Sequence, residues 1–187
     1  LVIFGAGLGV VVQGTNGQGP WTVFHEGVAE HSPLSIGTAT IATGVLLLIA
    51  TLWMKVPIGI GTLLNVALIG PATDATIWLI ETPESTAGRA ALTIIGPILT
   101  AIGSGLYLGV HLGPGPRDGL MTGLNERGLS IRSARFAIEA VAFTAGVLLG
   151  GTFGWGTIWW LLVIGPGVQL MLRPFDRGPL RRSDSRP

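Results

Sequence analysis

Residues 34–54 carry no charged side chain, and neither do residues 90–112. Runs of this length and apolarity match the roughly 20 residues a helix needs to cross the hydrocarbon core of a bilayer. Only 11% of the 187 residues are charged, against about a quarter in soluble chains, so the chain reads as an integral membrane protein. Six segments qualify as spans: 1–14, 34–54, 56–80, 90–112, 131–153 and 155–172. The 30 glycines and 12 prolines lie within or between these runs. Both residues are commoner in membrane helices than in soluble ones, and their placement excludes disorder and a collagen-like chain. The sequence opens inside an apolar run, so the first span is expected to be incomplete, and no basic segment with a cleavage site marks a signal peptide.

Loop charges give an orientation through the excess of Lys and Arg on the cytoplasmic side. Lys55 lies between spans two and three, Arg117, Arg127, Arg132 and Arg135 lie between or at the entry of spans four and five, and five arginines occupy the tail. With six spans, all three groups fall on one face, which places both termini in the cytoplasm. Without cysteine there is no disulfide framework, no thiolate metal site and no cysteine nucleophile.

The sequence also repeats itself. Gly17, Gly19, Pro20, Gly27 and Glu30 recur 96 positions later as Gly113, Gly115, Pro116, Gly123 and Glu126. Leu34, Ser35, Ile36, Gly59, Gly61, Thr62, Ile69, Gly70 and Pro71 recur 95 positions later as Leu129, Ser130, Ile131, Gly154, Gly156, Thr157, Ile164, Gly165 and Pro166. Each copy holds three spans, an odd number, so the second enters the membrane from the opposite face. The expected fold is all-α: six transmembrane helices as two inverted three-helix repeats, over residues 1–80 and 90–173, with a linker at 81–89 and a basic cytoplasmic tail at 174–187. Many transporters are built this way, with their sites near the midplane where interrupted helices of the two halves meet.

Matching interruptions follow spans one and four. Pro20 and Pro116 suit the first position of a short helix, each extending for about ten residues, too few to span a bilayer. Two readings fit. The pair lies at the surface as interfacial helices, or dips in as re-entrant half-helices whose N-terminal amides and positive dipole ends face an anionic or carbonyl-bearing solute. On the second reading the solute contacts are Gly19, Pro20 and Trp21 in one half and Gly115, Pro116, Arg117 and Asp118 in the other. The two openings, Pro-Trp-Thr and Pro-Arg-Asp, differ chemically, so the site is not symmetric.

Ionisable groups inside a membrane are costly and read as functional, each with a partner. Glu139 follows Arg135 by one helical turn, and Arg132 extends that face, an ion pair or a proton site. Asp74, matched by Gln169 in the second copy, is a second candidate. The stretch from His25 to His31 lacks the spacing that puts two imidazoles on one helix face, so no metal site is assigned and these side chains read as solvated interfacial groups, with His25 or His31 a candidate proton site. Trp53, Trp78, Trp155, Trp159 and Trp160 sit near span ends as an aromatic belt.

A family resemblance rests on the run from Gly113 through Pro116, Arg117, Asp118, Gly119, Leu120 and Met121. It extends through Gly128-Leu129-Ser130-Ile131-Arg132-Ser133-Ala134-Arg135 and Ile138-Glu139, with Gly19-Pro20-Trp21-Thr22-Val23 and Gly37-Thr38-Ala39-Thr40 in the first half. It resembles the YczE family of bacterial integral membrane proteins, related to the YitT group, from Gly7 to about Arg173. Gln18 stands where an acidic residue is expected. The resemblance implies a multi-pass bacterial inner-membrane protein and transfers no catalytic residue. The expected function is therefore a small-solute transporter or solute-binding membrane protein with its site at the repeat interface. The alternative is a non-transporting accessory or scaffold subunit of a larger membrane complex. The expected partners are the bilayer, a small solute and a membrane protein or second copy. No enzymatic activity, cofactor, metal or nucleic acid is expected.

Overall fold

The computed structural model describes residues 1–113 and 115–172, so Pro114 and the basic tail expected at 174–187 lie outside the described residues. Among the described residues all regular structure is helical: α1 (Val2–Gly14), α2 (Pro20–Glu30), α3 (Ile36–Trp53), α4 (Ile60–Leu79), α5 (Thr86–Gly109), α6 (Pro116–Asn125), α7 (Ile131–Leu148) and α8 (Trp155–Leu172). Four of them, α3, α4, α5 and α8, are long and apolar enough to cross a membrane. Helix α1 is apolar but has 13 residues. Helix α7 has 18 residues and carries Arg132, Arg135 and Glu139. The six expected spans all appear as helices, with α7 ending at Leu148 rather than 153. There Leu149 caps the helix and Gly150 takes φ 82, a left-handed turn suited to glycine.

Local chemistry sets the helix starts. Ser35, Ser85 and Ser130 cap α3, α5 and α7 by accepting from the amides of Thr38, Gly88 and Ser133. Pro20 and Pro116 open α2 and α6, each behind an extended glycine, Gly19 and Gly115. At this position the missing proline N–H costs nothing, because the first-turn amides have no helical acceptor. Thr51, Thr73, Thr93 and Thr100, all buried, donate to the carbonyl four residues back. Their hydroxyls are thereby satisfied without water, as an apolar solvent requires.

Packing is backbone against backbone. Helix α1 runs antiparallel to α5, with Phe4 beside Gly103, Gly7 beside Thr100 and Gly14 beside Thr93. It runs parallel to α4, with Gly5 at Ile69 and Gly9 at Thr76, and Thr73 donates its hydroxyl to the Gly5 carbonyl at 3.1 Å. In the same way α8 runs parallel to α5, pairing Gly167 with Ala101 and Met171 with Gly105. The described chain therefore starts and ends at the same end of the bundle, the C-terminal end of α5. Helix α2 packs on α7 and α3, while α6 packs on α3 and α7. Small residues permit these approaches, which drive helix association in lipid where no hydrophobic effect is available.

One pair of helices breaks the pattern. Helix α3 packs closely on α4, where a methyl on Gly70 would sit 2.4 Å from the Gly37 carbonyl oxygen. The Asp74 carboxylate accepts from the Ser35 hydroxyl at 2.5 Å and the Gly37 amide at 2.8 Å. At the matching positions of the second half stand Arg132 for Gly37, Gly165 for Gly70 and Gln169 for Asp74. There α7 and α8 form no such seam, and a methyl on Gly165 would meet nothing within 4 Å. Gly70→Ala is expected to destabilise the fold by about 1–3 kcal/mol through overpacking. Gly165→Ala should be neutral or stabilising by up to about 1 kcal/mol, since it removes a helix-interior glycine. Unfolding of the two purified variants in detergent measures the difference.

Candidate functional site

Neither Gly-Pro opening lies at an end of the bundle. Gly19 packs against the ring of Trp160, the sixth residue of α8, and Gly115 sits beside Asn65, the sixth residue of α4. Thr51, near the end of α3, turns its hydroxyl toward the Pro116 carbonyl at 3.4 Å. Both short helices therefore begin about one and a half turns inside the flanking helices and run outward to opposite ends. Two matched backbone clasps hold them there. The Gly61 amide donates to the Leu112 carbonyl at 2.8 Å, and the Gly156 amide donates to the Asn16 carbonyl at 2.9 Å.

Between the two openings lies a cavity of about 290 Å³. Gly19, Pro20, Trp21, Gly115, Pro116, Arg117 and Asp118 line it, joined by Arg135 and Glu139 of α7. The structure thus brings together nine of the eleven residues singled out from the sequence, and the other two lie elsewhere. Asp74 is engaged as the acceptor that caps α3, and Arg132 is exposed outside the cavity lining. No sequence signal marked the remaining walls: Asn65, Ser104 and Tyr107 supply polar atoms, while Leu8, Met121, Ile138, Ile164 and Val168 supply apolar surface. Trp160, expected in the interfacial belt, is 8% exposed and forms part of this wall, because Gly19 leaves room for its ring. Trp53 and Trp78 are exposed as a belt requires.

Charges are distributed unevenly. Arg135 and Glu139 pair at 3.0 Å. Asp118 turns its carboxylate back onto the Gly115 amide, offsetting the positive end of its own helix α6. Arg117 stacks 5.1 Å from the centre of the Trp21 ring, a cation–π contact strengthened where water is scarce. No carboxylate lies within salt-bridge distance of it among the described residues, so its N–H donors face the cavity. The first-turn amides of α2, Trp21 and Thr22, likewise meet no protein acceptor.

His25 departs from the solvated position expected for it. It is 3% exposed, and the Thr40 hydroxyl, which donates to the Ile36 carbonyl at 2.8 Å, stands 3.0 Å from its Nδ1. The one hydroxyl proton is thereby used, so Nδ1–H donates to Thr40 and Nε2 is left as a bare acceptor. Nε2 has no partner, and His25 lines a small recess shared with Trp21, Asn65 and Arg117.

At the opposite end of the bundle from the chain ends, a polar clamp joins α2 to the α7–α8 turn. Glu26 accepts from the Thr152 amide at 2.5 Å, the Thr152 hydroxyl at 3.0 Å and Gln18 Nε2 at 2.6 Å. Gln18 thus acts as a donor to Glu26, a role an ionised carboxylate at that position could not fill. Among the described residues no three His, Asp or Glu side chains converge as metal ligands. Glu26→Ala leaves the Thr152 amide and Gln18 without an acceptor and is expected to cost about 1–3 kcal/mol. Thermal unfolding in detergent reads this loss, which Glu26→Gln should restore in part.

Comparison with known proteins places the chain among membrane proteins. Residues 1–173 match a family described as a family of unknown function, DUF6198. A protein of Haemophilus influenzae, described as uncharacterized, is 36% identical over 180 residues, covering 96% of this chain and 83% of its own length. The uncharacterized membrane protein YczE of Bacillus subtilis is 32% identical over 165 residues, covering 84% of this chain and 75% of its own. No solved structure matches.

Proposed function

This chain belongs to the DUF6198 family, in company with YczE, and from that premise we propose that it is a multi-pass inner-membrane protein that binds and moves a small solute through the cavity between its two Gly-Pro helices. The observation that carries this reading is the meeting of Pro20 and Pro116 on one cavity, with the unpaired Arg117 guanidinium between them. A cation without a carboxylate partner, inside a bundle of apolar helices, is costly and is retained where it meets a charged guest. Irregular backbone at depth is tolerated only where it lines protein or a water-filled cavity, and both openings do so.

The helix pairings support two inverted three-helix repeats. Helix α1 on α4 matches α5 on α8, α2 on α7 matches α6 on α3, and α2 on α3 matches α6 on α7, each pair related by the 95 or 96 position shift of the sequence. In this reading α1 and α7 are spans like the other four. Both chain ends face the cytoplasm, as the arginine bias requires. The cavity reaches Tyr107, Arg135 and Gln169 near that end, while the Glu26 clamp and the α3–α4 seam close the other. This is the arrangement of one half of an alternating-access cycle. The solute contacts are the Gly19 to Trp21 and Gly115 to Asp118 openings, and the protein acts without catalysis, cofactor or metal.

Arg117→Gln is expected to reduce uptake of the solute into proteoliposomes at least tenfold, about 1.4 kcal/mol of binding, while purified protein keeps its unfolding temperature. Wild-type chain that takes up or binds no small anion, and instead copurifies with one stoichiometric membrane partner, would replace transport by the accessory-subunit reading.

A further inference from the structure

The cavity has two chemically distinct ends, and the second is unexplained by a small hydrophilic solute. At its head stand the Arg117 guanidinium over Trp21 and the free amides of Trp21 and Thr22. Away from the head, Met121, Ile138, Ile164 and Val168 supply apolar wall, interrupted by the Arg135–Glu139 pair and by Gln169. Met121 belongs to α6, and Ile138, Ile164 and Val168 belong to α7 and α8, the two helices that fail to close on each other. Gly37 and Gly70 let α3 and α4 meet, but Arg132 replaces Gly37 with a side chain and Gln169 replaces the capping carboxylate of Asp74. The corresponding seam between α7 and α8 therefore stays open, with empty space over Gly165.

We propose that this cavity is the seat of an amphipathic organic anion: an acidic head held at Arg117 and the first turn of α2, and an apolar tail lying between α7 and α8, by which it enters from the bilayer. The proposal rests on the solute-binding reading above and names its substrate class. Charge favours an anion over a cation. Asp118 and Glu139 are hydrogen-bonded to the Gly115 amide and to Arg135 and reach Arg117 only beyond salt-bridge distance, whereas the N–H donors of Arg117 and of the first turn of α2 meet no protein acceptor. Size favours a tail, because each methylene moved from water to an apolar wall gains affinity, and a head group alone would leave the cleft beside Gly165 unfilled. The cleft also meets lipid rather than a packed helix, so a tailed molecule need not leave the membrane to reach it.

The test uses the full chain in nanodiscs of zwitterionic lipid, titrated with acetate, hexanoate and decanoate, with tryptophan fluorescence as the readout, since Trp21 and Trp160 line the cavity. Empty nanodiscs correct for partitioning. Affinity is expected to rise at least tenfold from acetate to hexanoate and again to decanoate. Arg117→Gln should abolish saturable binding of all three. Gly165→Leu, whose side chain enters open space and leaves folding intact, should lower decanoate affinity at least tenfold while leaving acetate unchanged. Association should follow the membrane-dissolved fraction of decanoate when lipid is varied at fixed total anion.

Equal affinity for the three acids, each dependent on Arg117, overturns the tail and leaves the small-solute reading standing. Decanoate binding unaffected by Gly165→Leu, or association that follows the aqueous fraction, overturns the cleft as seat and entrance. A second copy crosslinked across α7 and α8 in nanodiscs does the same. If none of the acids binds saturably, both this proposal and the solute-binding reading fall together.

Discussion

The antiparallel seam between α1 and α5 is the contact on which the other placements depend. It is made of backbone and threonine rather than of large side chains. Gly7, Gly14, Gly96 and Gly103 bring the two chains so close that an added methyl would strike an opposing atom within 3 Å. In lipid, where burying apolar surface against a neighbour gains nothing over burying it in acyl chains, such close packing and the satisfied hydroxyls of Thr93 and Thr100 are what hold helices together. Helices α4 and α8 then dock on opposite partners of this pair. The short helices α2 and α6 fill the space left, from opposite ends.

That arrangement explains how the chain carries broken backbone among apolar helices. The segments before Pro20 and Pro116 lack helical partners, and they find them across the bundle, in Gly156 for one and Gly61 for the other. The clasps are alike in the two halves, but the side chains delivered are not. Asn65 stands where Trp160 stands in the other half, and Arg117 and Asp118 stand where Trp21 and Thr22 do. Similar backbone frames thus place a charged, hydrogen-bonding wall against an aromatic one, and the cation–π contact between Arg117 and Trp21 joins them. A cavity with one polar end follows from that difference, just as the open side between α7 and α8 follows from Arg132 and Gln169.

Much of this was legible in the residues. Apolar runs located the four helices long and apolar enough to cross a membrane, α3, α4, α5 and α8, because a bilayer demands length and apolarity and little else. The Gly-Pro pairs marked where helices open, since proline tolerates only a few positions there. Arg135 and Glu139 announced themselves as a pair by their spacing of one turn. The fate of Asp74 was not legible: its Ser35 and Gly37 partners are 39 and 37 residues away, and only the α3–α4 crossing makes it a cap. His25 and Gln18 were misleading for the same reason, as polar residues in a polar stretch that packing turned inward against α3 and the α7–α8 turn.

The sequence by itself determined that this is a membrane protein, where its described helices lie and where they break, because those follow from hydropathy and the fixed φ of proline. Only the tertiary structure decided that the two breaks face one cavity, that Arg117 stands there without a salt-bridged carboxylate, and that one seam is closed and its counterpart open. Those outcomes depend on sub-ångström differences in how near two backbones can come, which a glycine in the text permits but does not specify.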